Sequence, residues 1–71
     1  MRNNLINFRH ELGLSQTDLG GLFGLKKQQI SKIENGRQEG SADFWLDMQE
    51  KFCLTNEATK KLKEVQPDEI S

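Results

Sequence analysis

The sequence predicts an all-α domain of five short helices. Three observations predict it. Apolar residues recur at spacings of three and four, and no stretch alternates as a strand would. Gly13, Gly24 and Gly36 each follow such a stretch, where a helix would end in a left-handed residue. Ser15, Ser41 and Thr55 each precede one, where a hydroxyl can cap the first free amides. The 71 residues are expected to form one domain over 1–66, with 67–71 as a flexible tail.

The first helix is expected from about Asn4 to Leu12, with Leu5, Phe8 and Leu12 on one face. The second opens at Ser15-Gln16-Thr17-Asp18. Ser15 can cap it, and Asp18, at the third helical position, can answer Ser15 in a capping box. It turns Leu19, Leu22 and Phe23 inward. The third runs from about Lys26 to Asn35 on the apolar pair Ile30 and Ile33. Arg37-Gln38-Glu39-Gly40 reads as a loop. The fourth spans about Ala42 to Phe52 and buries Trp45, Met48 and Phe52. The fifth spans about Asn56 to Val65, with Ala58, Leu62 and Val65 inward. Pro67 stops it, and Gln66 to Ser71 are expected to fray. Helices this short are marginal alone, so tertiary burial must hold them.

Composition narrows the function. The formal charge is −1, which is unusual for a nucleic-acid binder. The distribution is uneven. Residues 1–37 hold six cations against three carboxylates, a net of +3; residues 38–71 hold four against eight, a net of −4. The single Cys53 cannot pair within the chain, which fits a reducing, cytoplasmic setting, and at the fourth–fifth junction it reads as a small core filler. No apolar run approaches membrane-spanning length and no signal-peptide pattern opens the chain. One His, one Cys and no Tyr leave few candidates for a nucleophile and its base, so no enzymatic activity is expected. Nor is a cofactor or metal: Gly20-Gly21-Leu22-Phe23-Gly24 lacks the spacing of a phosphate-binding loop, and no Cys/His set suits zinc.

The segment Gln16 to Asn35 meets the demands of a helix-turn-helix unit. Gly20 is the small residue where two helices approach, Gly24 is the turn, and Leu19, Phe23, Leu25, Ile30 and Ile33 are anchors. With Ile30 and Ile33 buried, 100° steps place Gln28, Ser31, Lys32 and Asn35 on the opposite face, with Lys27 flanking. Such a face fits the major groove: Lys27 and Lys32 can donate to guanine O6 and N7, Gln28 can pair with adenine N6 and N7, and Ser31 is permissive. Lys26 and Arg37 can add phosphate contacts.

The stretch Gly13-Leu-Ser-Gln-Thr-Asp-Leu-Gly-Gly-Leu-Phe-Gly24, followed by Gln29-Ile-Ser-Lys-Ile-Glu-Asn-Gly36, resembles the lambda repressor/Cro-like helix-turn-helix family. The resemblance covers roughly residues 4 to 55. It implies a compact five-helix fold and major-groove reading by the third helix. It implies base contacts at Lys27, Gln28 and Lys32 and a phosphate contact at Gln16. It also implies a partly buried ion pair between Arg9 and Glu34. Three departures suggest limited stability, or a partner that supplies the rest: Gly20 where the family usually has Ala, with Gly21 after it, Lys26 where it often has a Ser or Thr cap, and no proline after Arg37.

The expected function is that of a sequence-specific transcriptional regulator, repressor or Cro-like, of phage or bacterial type. It would bind a pseudo-palindromic operator as a homodimer, with little of the chain left over for ligand sensing. An antitoxin of the same fold is a related alternative. A different class is a modulator that docks on a partner repressor and blocks its DNA contact. The acidic second half and the run Phe44-Trp45-Leu46 favour it, because one helix face cannot bury all three and Phe44 or Leu46 would remain for an interface.

Overall fold

A computed structural model describes residues 1–67; most of the expected tail, residues 68–71, lies outside them. The described residues form α1 (Asn3–Glu11), α2 (Gln16–Leu22), α3 (Lys27–Glu34), α4 (Ala42–Lys51) and α5 (Asn56–Lys63), with no strand among them. Leu5, Leu19, Ile30, Ile33, Phe44, Trp45, Met48 and Leu62 make the core, so every helix contributes. α2 packs on α3, and α1 lies between α3 and α5. No helix of the described residues is long and apolar enough to cross a membrane.

The helix starts follow local chemistry. The Ser15 hydroxyl accepts from the Asp18 amide at 3.0 Å, and Asp18 Oδ2 accepts from the Ser15 amide at 3.1 Å. Ser41 and Thr55 cap α4 and α5, accepting from the amides of Phe44 and Ala58. α3 differs. Lys26 stands at its N-cap, and an ammonium has no lone pair to offer an amide. Only the return half of the box is present: Gln29 Oε1 accepts from the Lys26 amide at 2.9 Å.

The bonds to Ser15 pull the Asp18 carboxyl below its ordinary 3.8, because they favour the charged form. A folded-state pKa below the unfolded one adds stability above the unfolded value, and that stability is lost as pH falls through the folded one. Asp18→Asn should therefore lower the urea midpoint at neutral pH, and the gap to wild type should close on acidification below 3.8. A gap that is constant from neutral to acidic pH would contradict this.

Four helices end alike. The amides of Leu14, Leu25, Arg37 and Leu54 each bond a carbonyl five residues back, on Arg9, Gly20, Lys32 and Gln49. The residue before each is left-handed: Gly13, Gly24, Gly36 and Cys53, the last at φ 52°. This corrects the reading of Cys53 as core filler. It is exposed, because the left-handed turn that seats Leu54 against the core directs the Cys53 side chain outward. A glycine there would escape the Cβ crowding of that conformation.

Gly20 and Gly21 sit side by side in α2 and differ sharply. A Cβ on Gly20 would lie 2.6 Å from the Leu25 carbonyl oxygen, whereas a Cβ on Gly21 would meet nothing within 4 Å. The departure at Gly20 is thus a close backbone approach that brings the turn tight onto α2. Gly21→Ala is expected to add about 0.5–1 kcal/mol, raising Tm by roughly 4–8 °C per kcal/mol. Gly20→Ala is expected to subtract roughly 1–3 kcal/mol, because the crowding atom is backbone. Thermal unfolding checks the opposite signs.

Several burial expectations are corrected. Phe44 and Trp45 are both core, each 4% exposed, so neither offers an interface. Helix α4 is covered on two adjacent sides, which a single-stripe reading does not allow for. Phe44 meets the Phe23 ring edge-on at 5.2 Å, while Trp45 lies under Arg2 and Lys63. Leu46 alone of the three is open, at 56%. Leu12 and Leu22, at the last turns of their helices, are exposed, and Phe52 is half-buried against Phe8. Val65 is exposed because α5 stops at Lys63. Beyond it Gln66 is tied down: its amide and carbonyl pair with the Met1 carbonyl and amino group, each at 2.7 Å.

Candidate nucleic-acid interface

The turn between α2 and α3 is built around Gly24, at φ +68°, where an L side chain would be strained. Leu19 and Ile30 pack on either side of it in the core. Because Ile30, Ile33 and Glu34 face inward, the remaining side chains of α3 face out. Gln16, Lys27, Gln28, Ser31, Lys32, Asn35 and Arg37 line one open concavity. Six of the seven residues singled out in sequence for this surface thus come together. The seventh, Lys26, is exposed at the N-cap of α3, beside the concavity rather than lining it. Asn35 joins them, its amide 3.5 Å from the Ser31 hydroxyl.

Gln16 is held from behind. Its Nε2 donates to Glu34 Oε1 at 2.9 Å. Glu34, 2% exposed, also accepts from Arg9: Nε to Oε2 at 2.6 Å and Nη2 to Oε1 at 3.3 Å. Arg9 Nη1 spends its remaining donor capacity on the Leu14 carbonyl at 2.9 Å. One buried carboxylate therefore joins α1, the start of α2 and the end of α3. His10 is exposed at the edge of this network, 3.3 Å from Arg9 Nη2.

The burial of these groups sharpens the charge pattern. Arg2, Arg9 and Glu34 are internal, so the exposed charges of the first half reduce to Lys26, Lys27, Lys32 and Arg37 against Glu11 and Asp18. The four cations cluster at α3 and the turn after it. Such a face offers ammonium, guanidinium and amide donors to an anionic, acceptor-rich partner. Among the described residues no group of His, Cys, Asp and Glu could hold a metal ion.

Arg2 is the residue that sequence reading missed as a structural element. It counts as one more cation in the chain, yet it is buried. Nη1 donates to the carbonyls of Ile33 and Gln38, each at 2.6 Å, and Nε to that of Lys63 at 2.9 Å. Burial pushes its pKa down and nearby Glu39 opposes that; a guanidinium nevertheless stays protonated. No local spacing signals this role, which depends on three distant chain segments meeting.

Two helices clasped about a left-handed glycine, the second presenting a cationic polar face, define a helix-turn-helix protein. A family model described as helix-turn-helix matches residues 5–51, and the chain belongs to that family, the lambda repressor/Cro-like group of DNA-binding transcription regulators. No curated protein and no solved structure matches the chain.

Proposed function

We propose that this chain is a sequence-specific transcriptional regulator, repressor or Cro-like, acting in the cytoplasm of a bacterium or on behalf of a phage. The single observation that carries this reading is the concavity along α3, where Gln16, Lys27, Gln28, Ser31, Lys32 and Arg37 converge. Lys27, Gln28 and Lys32 read base edges in the major groove, and Ser31 accommodates either partner. Gln16, Lys26 and Arg37 fix the register through phosphates. A homodimer places two such helices about one helical turn apart on a pseudo-palindrome.

The test is selection from random duplexes, followed by anisotropy titration of the selected sequence at two salt concentrations. Tight binding with a steep salt dependence and a large margin over random duplex is expected. Failure to enrich any sequence would overturn the reading.

A second reading rests on Leu46. It is 56% exposed on α4, and Asp43, Asp47 and Glu50 stand within four residues of it on the same helix. That surface suits a modulator docking on a partner repressor, with Leu46 in place of the now buried Phe44 and Trp45. Release of a repressor from its own operator, without duplex binding by this chain, would favour it.

A further inference from the structure

We propose that Arg2 is a positioning residue for the DNA-facing surface: its guanidinium pins the segment from Ile33 to Gln38 so that Arg37 is presented to a phosphate at the edge of the concavity. This rests on the DNA-binding reading above. Arg2 is 4% exposed and so cannot meet a duplex itself. What it holds is specific. Its Nη1 donates to both Ile33 and Gln38, the carbonyls that bracket the turn carrying Arg37. Its own amide donates to the Glu34 carbonyl at 2.7 Å, so one residue grips the last turn of α3 twice.

The turn needs this grip. Gly36, at φ +81°, swings the chain away from the helix axis, and the amides of Arg37 and Gln38 both return to one carbonyl, that of Lys32. One guanidinium nitrogen, Nη1, spans the turn, Nε anchors the group to the Lys63 carbonyl of α5, and the positive charge sits favourably at the carbonyl end of α3. The Trp45 ring, its centroid 5.7 Å from the Arg2 guanidinium carbon, packs against the group from the core. A lysine would keep the charge but lose the Nε anchor on the Lys63 carbonyl and the rigid plane that fixes Nη1 between Ile33 and Gln38.

The experiment compares wild type with Arg2→Lys, Arg2→Met, Arg37→Ala and the double variant R2K/R37A. The first readout needs no DNA: amide hydrogen exchange in the free protein. Arg2→Lys should speed exchange at Arg37 and Gln38 relative to the core amide of Ile30. The second is titration of the selected duplex, and of a random-sequence duplex, across salt at a temperature where each variant is folded. Arg2→Lys should weaken binding roughly three- to tenfold and reduce the salt slope by about one, matching Arg37→Ala. The double variant should be no weaker than Arg37→Ala alone. Unchanged exchange at Arg37 and Gln38 overturns the proposal, and so do additive losses in the double variant. Faster exchange in a protein whose wild type binds no duplex sinks the DNA-binding reading instead, and the phosphate half of this proposal with it. Arg2→Lys keeps the test decisive if Arg2→Met fails to fold.

Discussion

Replacing Arg9 by Met is expected to remove roughly 3–5 kcal/mol of stability. For a chain of this size the whole margin is of order 4–10 kcal/mol, so much of the variant should be unfolded near body temperature. The cause lies in what stays behind. Glu34 is 2% exposed, and its carboxylate takes bonds from Arg9 at both oxygens. Without the guanidinium, Gln16 Nε2 is the one donor left of these three, and a buried carboxylate cannot rest on one neutral bond. The Leu14 carbonyl also loses its partner, loosening the α1–α2 connection.

A paired change separates this from simple loss of packing. In Arg9→Met/Glu34→Leu no orphaned charge remains, and most of the lost stability should return. Urea unfolding of the four proteins gives the coupling directly. Single variants as stable as wild type would show that the pair does not carry the fold.

The second large effect concerns function. Replacing both Lys27 and Lys32 by Ala is expected to weaken binding to the selected duplex by roughly 2–6 kcal/mol, taking about 1–3 kcal/mol for each base contact. Discrimination against random duplex should shrink as well, since base contacts and not phosphate contacts specify sequence. Stability should hardly move. Both side chains are exposed on α3, and exposed substitutions of this kind stay within about 0.5 kcal/mol. Thermal unfolding beside the titration separates the two effects. Specific binding that survives both changes would mean that α3 is not the reading helix.

The geometry also orders these effects. Lys27 and Lys32 act at the surface, where loss is local. Arg9 acts two hydrogen-bonded steps deeper, behind Gln16 and Glu34, where loss is felt by α1, α2 and α3 together. A variant of Arg9 that still folds should therefore bind DNA less well through Gln16. The surface lysine variants should leave the buried network untouched.

The sequence by itself determined the features that depend on neighbours a few residues apart. Ser15, Ser41 and Thr55 start helices because a hydroxyl reaches an amide three residues on. Gly13, Gly24 and Gly36 end them because a left-handed residue needs no Cβ. The outward face of α3 was legible for the same reason, since Ile30 and Ile33 alone fix which way it turns. Only the tertiary structure decided what depends on which segments meet. It buried Phe44 by covering α4 on a second side, left Leu22 and Val65 open, gave Cys53 a left-handed turn, and drew Arg2 inside against carbonyls of α3, α5 and the loop between α3 and α4. Helical periodicity records one buried stripe per helix. It carries no record of a second contact made by a distant stretch of chain.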